Sequence, residues 1–107
     1  MDATIDDWKK LDIRIAEILS AERIPKTNKL YKLQIDLGTE KRQIVSGIVP
    51  YYSADELVGK KIAVITNLKP AKLGGELSQG MLLAAVGEKS VVILMPEKNT
   101  ENGAKVA

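Results

Sequence analysis

The chain contains no cysteine and no histidine among its 107 residues. The missing cysteine excludes disulfide bonds and thiolate chemistry, and the missing histidine removes the commonest general base and metal ligand of proteins. A zinc site built on these ligands and a serine–histidine–aspartate triad are therefore excluded. No carboxylate pair stands in a distinctive setting either, so we expect neither an enzyme nor a metal or other cofactor.

Aromatic residues are also scarce, with one Trp, three Tyr and no Phe. Proteins that bind extended single strands stack bases on exposed aromatic rings, and each stacked base is worth about 1–3 kcal/mol. This chain is poorly equipped for that mode. Its Lys, Arg, Asn, Ser and Gln side chains suit the phosphates and riboses of a folded RNA of fixed shape better.

No apolar run approaches the roughly 20 residues that cross a bilayer, and the acidic N-terminus lacks the pattern of a signal peptide. We therefore expect a cytoplasmic protein without a membrane partner. With 45% hydrophobic and 28% charged residues, residues 1–107 are predicted to form a single globular domain.

The net charge of +2 is unevenly distributed. Residues 1–22 carry a net −3, residues 23–72 carry +6, and residues 73–107 carry −1. A basic middle segment can create a positive face for a polyanion although the net charge is small. The alternative is that these lysines simply solvate loops and strand edges.

Period-two alternation of apolar residues predicts strands over residues 11–24, 31–37, 41–47 and 60–66. The first of these is expected to contain a bulge, to present Arg14 and Ala16 to solvent, and to end at Pro25. The apolar run 80–86 reads as one strand buried on both faces, and residues 91–95 as the last strand. Thr4 and Ser53 are predicted to cap two short helices.

These elements indicate an all-β domain, a five-stranded Greek-key barrel of the oligonucleotide-binding (OB) type with short peripheral helices. An SH3-like barrel is the alternative. The alternation also predicts a buried core, whose members are Ile13, Ile15, Leu33, Ile35, Ile44, Ile62, Val64, Leu83 and Val92.

The most informative segment runs from Asn67 to Met81 and combines two lysines, neutral hydrogen-bonding side chains and three glycines between apolar runs. It is typical of a ligand-binding loop, or equally of a long polar hairpin with lysines on its outside. The spacing from Gly75 to Gly80 is that of a phosphate loop, but Met81 occupies the position of the essential lysine. Ser46 has no histidine to activate it, so a serine nucleophile is not expected.

Six segments in order resemble the tRNA-binding domain at the C-terminus of methionyl-tRNA synthetases, a module that also occurs in free structure-specific tRNA-binding proteins. The resemblance covers residues 12 to 96, and the segments are Asp12-Ile13-Arg14-Ile15, Asn28-Lys29-Leu30-Tyr31-Lys32-Leu33, Arg42-Gln43-Ile44-Val45-Ser46-Gly47-Ile48, Gly59-Lys60-Lys61, Asn67-Leu68-Lys69-Pro70-Ala71-Lys72-Leu73 and Ser78-Gln79-Gly80-Met81-Leu82-Leu83-Ala84-Ala85.

The resemblance implies a non-catalytic OB-fold homodimer that recognises the tRNA elbow by shape, with little sequence preference, and raises the tRNA affinity of a synthetase. The catalytic part of that synthetase would be a partner in cis or in trans. The implied tRNA-binding residues are Lys29, Arg42, Ser46, Asn67, Lys69, Lys72, Ser78, Gln79 and Met81.

Three short segments depart from the family pattern. The family usually has His-Pro at Ile24-Pro25, Ala-Asp-Lys-Leu at Thr27-Asn28-Lys29-Leu30, and Arg or another long side chain at Gly74.

Two further expectations concern protein partners. The apolar rim Ile48, Val49, Tyr51 and Tyr52, with the tail from Met95, is the predicted dimer contact, unless these residues close the end of their own barrel. The alternative function is a free-standing dimer that binds proteins, as in the related secretion chaperones.

Overall fold

The computed structural model describes residues 1–107 and contains two short helices and nine strands. The helices are α1 (Ile5–Lys9) and α2 (Ala54–Leu57). The strands are β1 (Ile13–Arg23), β2 (Tyr31–Asp36), β3 (Lys41–Ser46), β4 (Lys61–Ile65), β5 (Ala71–Leu73), β6 (Glu76–Ser78), β7 (Met81–Leu82), β8 (Ala84–Val86) and β9 (Val91–Ile93). No helix has the length and apolar character needed to cross a membrane.

Five strands form one antiparallel sheet in the order β3-β2-β1-β4-β7. The N-terminal half of β1 pairs with β4 and its C-terminal half pairs with β2, with a register shift between Ile18 and Ser20. This irregularity lets one long strand bend and serve both sides of a curled half-barrel. The sheet order and the bulge confirm the predicted OB-type architecture.

The interior of the half-barrel holds side chains from all five strands of the sheet. Leu33, Ile35, Ile44 and Ile62 are fully buried there. The predicted burial is confirmed for seven of the nine core residues, and Leu83 is half-buried. The prediction that Val92 is buried is wrong. Val92 is 52% exposed because the short β8–β9 hairpin turns its neighbour Ile93 inward instead.

A second apolar cluster lies on the outside of β1 and β4 and consists of Ile13, Ile15, Ala63 and Ile65. The C-terminal tail covers it, because the Val106 amide donates to Ile13 O over 2.9 Å and the Ile15 amide donates to Ala104 O over 2.9 Å. Ala16 therefore points into the barrel and is fully buried. The predicted solvated face of this strand was wrong at that position.

The apolar run 80–86 is not one doubly buried strand, and that prediction is corrected. It divides at Leu83 into β7, which pairs with β4 through two residues, and β8, which forms a separate hairpin with β9. The Leu83 amide donates to Ala63 O and Leu83 O accepts from Leu94, which anchors the base of the hairpin. Only Leu82 of the run is buried, and Val86 is exposed.

Both helices begin with a capping box, as the sequence predicts. Thr4 Oγ1 accepts from the Asp7 amide while the Asp7 carboxylate accepts from the Thr4 amide, and Ser53 and Glu56 repeat the arrangement. The hydrogen bond from the Thr4 backbone lowers the pKa of Asp7, and the one from the Ser53 backbone lowers the pKa of Glu56. The boxes satisfy amides that have no partner within the helix.

Asp12 links the start of β1 to the end of β4. Its Oδ2 accepts from Thr66 Oγ1 over 2.6 Å, and its Oδ1 accepts from Arg14 Nε over 2.9 Å. The Thr66 hydroxyl is the largest cause of a lowered pKa at Asp12, with Arg14 adding to it.

This lowered pKa predicts a pH-dependent contribution to stability. The contribution is fully present above the ordinary pKa of 3.8 and is lost as the pH falls from there through the folded-state value. Asp12→Asn should therefore lower the denaturation midpoint at pH 6 and make less difference at pH 3. Asp2→Asn, at the exposed N-terminus, is the control, and an equal deficit at both pH values would contradict the expectation.

Candidate nucleic-acid interface

The segment after β4 is an ordered β-hairpin rather than an irregular loop. In this hairpin Ala71 pairs with Ser78, Lys72 with Leu77 and Leu73 with Glu76. The turn residues Gly74 and Gly75 have φ angles of +59° and +84°, the backbone that tight two-residue hairpins require. The alternative reading, a hairpin with exposed lysines, therefore describes its backbone correctly.

The tip of the hairpin lies against the connection between β1 and β2. A β-carbon added at Gly74 would stand 2.8 Å from Leu30 Cδ1, 3.1 Å from Thr27 Cγ2 and 3.4 Å from Ile24 Cγ2. Gly74 and two other positions that depart from the family pattern, Ile24 and Thr27, are therefore neighbours in space. A longer residue at the turn would have to displace this contact.

An ion pair holds the same hairpin to the sheet. Lys32 Nζ on β2 lies 3.7 Å from Glu76 Oε2 on β6, and both side chains are partly shielded from water. Glu76 is the one acidic residue between Asn67 and Met81. Its charge is thus directed to Lys32, and the two lysines of the segment have no carboxylate within ion-pair distance.

Ser78 and Gln79 use their side chains to complete the open edge of β3. Ser78 is buried, and its Oγ accepts from the Val45 amide and donates to Gly80 O, both over 2.9 Å. Gln79 Oε1 accepts from the Gln43 amide over 3.1 Å, and the Gln79 amide donates to Gln43 O over 2.8 Å. These bonds bridge the gap in the half-barrel where a continuous ladder is missing.

Arg42 and Asn67 are also engaged in internal hydrogen bonds. Arg42 donates to the carbonyl oxygens of Thr66 and Gln79 and to the carboxylate of Glu40. Asn67 accepts from the Asp12 amide over 2.8 Å and donates to Lys10 O over 2.7 Å. Four of the nine predicted site residues therefore make hydrogen bonds that hold the hairpin and its flanking residues to the barrel. They are Arg42, Asn67, Ser78 and Gln79.

The other five predicted residues remain available at the surface to different degrees. Lys29, Lys69 and Lys72 are exposed and make no ion pair, whereas Ser46 is half-buried at the end of β3. Met81 is half-exposed and lines a shallow depression of about 150 Å³ with Lys69 and Ser78. Lys29 precedes Leu30, the residue against which the hairpin tip packs.

Sequence reasoning missed Gln43 and Lys32 as members of this region. Gln43 Nε2 donates to Leu77 O over 2.9 Å in addition to its two bonds with Gln79. Both residues stand in strands with an ordinary alternating pattern, and their partners lie more than thirty residues further along the chain. No local signal marks such a contact.

A curled OB-type sheet that carries a hydrogen-bonded hairpin with unpaired lysines is typical of small β-barrel domains that bind nucleic acid. Residues 13–105 match the family described as putative tRNA binding domain. The chain belongs to this family.

The relatives identify the context in which the domain occurs. Methionine–tRNA ligase 1 of Bacillus cereus is 55% identical over 105 residues, which cover 96% of this chain and 16% of the ligase. The chain is thus homologous to the C-terminal region of methionine–tRNA ligases and spans about 16% of the length of that relative.

Solved structures with the same fold include proteins of different kinds. The methionyl-tRNA synthetase-related protein of Pyrococcus horikoshii is 37% identical with a TM-score of 0.95, covering 100% of this chain and 99% of that one. The chaperone CsaA of Bacillus anthracis is 30% identical with a TM-score of 0.91, and both chains are covered completely.

Proposed function

We propose that residues 1–107 form the non-catalytic tRNA-binding and dimerisation domain of a methionyl-tRNA synthetase. The domain recognises the elbow of tRNA by shape, with little sequence preference, and raises the tRNA affinity of the synthetase. Its partners are tRNA, a second copy of the chain and the catalytic part of the synthetase, joined in cis or in trans, in the cytoplasm. It needs no cofactor.

The observation that carries this proposal is the set of three unpaired, exposed lysines on and beside the hydrogen-bonded hairpin. Lys29, Lys69 and Lys72 can contact phosphates without first breaking an ion pair. Contacts to phosphate and ribose position a protein on an RNA but do not read its sequence. A fixed cationic surface without stacking rings therefore recognises the shape of a folded RNA rather than its bases.

The test is a filter-binding titration of the chain with several purified tRNAs, repeated across salt concentrations. We expect similar Kd values for the different tRNAs, a linear fall of log affinity with log salt, and much weaker binding of an unstructured RNA of equal length. Equal affinity for the unstructured RNA would overturn recognition by shape. Absence of binding at low salt would overturn the function.

The second candidate function is a chaperone-like protein-binding dimer, and the exposed apolar surface of the β8–β9 hairpin favours it. Val86, Val92, Leu94 and Met95 are between 45% and 77% exposed on this hairpin and the residues after it. Suppression of aggregation of an unfolded protein, unaffected by saturating tRNA, would support this alternative.

The exposed apolar surface of the β8–β9 hairpin is also a candidate for the contact between two copies of the chain. It is more accessible than the rim of Ile48, Val49, Tyr51 and Tyr52 that the sequence predicts. Ile48 is buried, and Val49 and Tyr52 pack against the core of their own barrel. Tyr31 donates its hydroxyl hydrogen to Tyr52 O over 2.7 Å, which fixes this end of the barrel. Of the predicted contact, Tyr51 and Met95 remain exposed.

We therefore propose that two copies associate through the surface formed by Val86, Val92, Leu94 and Met95. Sedimentation at micromolar concentration should give about twice the chain mass of 11.7 kDa. The double substitution Val92→Glu and Leu94→Glu should give the monomer, because burying unpaired carboxylates is unfavourable. Leu77→Glu, which adds a charge at an exposed position of β6, should remain dimeric, and a monomeric unsubstituted chain would contradict the dimer.

A further inference from the structure

Arg42 joins the two ends of the segment that carries Lys69 and Lys72. Its Nη1 donates to Thr66 O, directly after β4, and to Gln79 O, directly after β6, over 2.5 and 3.2 Å. Its Nη2 donates to Glu40 Oε1 over 3.0 Å. A single guanidinium thus fixes the distance between the points where the chain leaves and re-enters the barrel.

The environment of Arg42 is that of a structural group and not of a free cation. Its side chain is 24% exposed, and the carboxylate of Glu40 already compensates its charge. Both terminal nitrogens already donate hydrogen bonds within the chain. A phosphate that used Arg42 directly would have to compete with Glu40, whereas Lys69 and Lys72 have no such competitor.

The geometry of these bonds requires a guanidinium. Two carbonyl oxygens and a carboxylate lie in different directions around one planar group, and its fork of five donors can serve them together. A lysine ammonium retains the charge but is a compact point donor on a flexible stem. Lysine at this position would therefore preserve the electrostatics and lose the link between the two ends.

We propose that Arg42 is a positioning residue for tRNA binding, which presents Lys69 and Lys72 by holding the ends of their hairpin, and is not itself a phosphate contact. This inference rests on the proposed function and departs from the role that the family resemblance implies for Arg42. Gln43 and Ser78 contribute hydrogen bonds that hold β6, the second strand of the hairpin, to β3.

The first test compares Arg42→Lys with Arg42→Gln in tRNA titrations at constant salt. A phosphate contact would be largely retained by lysine, which keeps the charge. A positioning role predicts that both variants lose about tenfold in affinity or more, as expected when charged hydrogen bonds are removed. Tyr51→Phe, at an exposed position that makes no hydrogen bond to the hairpin, controls for a general effect of substitution, and circular dichroism verifies that every variant is folded.

The second test is a double-mutant cycle that combines Arg42→Lys with Lys69→Ala and Lys72→Ala. If Arg42 acts through the two lysines, its replacement costs much less once they are absent. If it binds an independent phosphate, the losses multiply. Multiplied losses, or near-normal binding by Arg42→Lys, would overturn the inference.

A measurement without RNA separates this inference from the proposed function. Hydrogen exchange at the amides of residues 77–79 should be faster in Arg42→Lys than in the unsubstituted chain, because β6 is then held less firmly to the barrel. If the chain binds no tRNA but exchange is faster in Arg42→Lys, the proposed function is wrong, while the structural role of Arg42 in holding the hairpin is supported. Unchanged exchange would show that Arg42 does not hold the hairpin.

Discussion

Replacing Lys69 and Lys72 together by alanine is expected to weaken binding to all tRNAs by a similar factor and to flatten its salt dependence. Each lost phosphate contact should remove about 0.7–0.9 from the slope of log affinity against log salt. For two contacts, this corresponds to about a tenfold smaller loss of affinity between 50 and 200 mM salt. The effect is large because released counterions supply much of the binding free energy.

The structural reason is that neither lysine has another task in the fold. Both are exposed, and the one carboxylate of their segment, on Glu76, is paired with Lys32. Their removal should therefore leave the free energy of unfolding almost unchanged, as for most surface substitutions. A loss of RNA binding without a loss of stability would assign the effect to the interface.

The matched control removes two positive charges elsewhere. Lys9 on α1 and Lys98 in the tail are exposed and make no ion pair. The pair Lys9→Ala and Lys98→Ala has the same change in net charge and should retain nearly the full slope. If the two double variants behave alike, net charge and not the hairpin governs binding.

The second large effect is expected in a synthetase that carries this domain. Tethering a tRNA-binding module near an active site gives it an effective concentration in the millimolar range for short flexible linkers. Sequence-independent binding at physiological salt has a Kd of about 10⁻⁴–10⁻⁶ M. The fused enzyme should therefore have a KM for tRNA about 10- to 10³-fold lower than the enzyme without the domain.

The kcat of the two enzymes should be nearly equal, because the domain binds tRNA equally in the ground state and the transition state. Charging assays at limiting tRNA measure both constants. A fusion carrying Lys69→Ala and Lys72→Ala is the control and should have a KM raised toward that of the enzyme without the domain. Equal KM values with and without the domain would remove the proposed role, and amino-acid activation by residues 1–107 alone would contradict a non-catalytic domain.

The sequence predicted the fold wherever a local pattern decided the structure. The alternation over residues 31–37 predicted β2, and the capping residues Thr4 and Ser53 predicted both helices. These features depend on a few consecutive residues. Their physical causes can therefore be read without knowing which parts of the chain meet.

The errors arose where distant segments decide the burial of a residue. The run 80–86 is apolar throughout, yet β4 accommodates only its first part, so the rest becomes an exposed hairpin. Distant segments also decide the internal hydrogen bonds of the polar site residues, whose predicted role in tRNA binding stays a prediction. Asn67 bonds to residues 55 and 57 positions earlier, and Ser78 to one 33 positions earlier, so their structural use has no local signal.

The tail over the outer cluster has a consequence for the order of events during synthesis. Residues 104–106 cover Ile13 and Ile15, about ninety positions earlier in the chain. Because the ribosome delivers the N-terminal part first, the outer face of β1 and β4 must wait for its cover after all five strands of the sheet have emerged. In that interval four aliphatic side chains remain in water, and this nascent face is where premature self-association would begin.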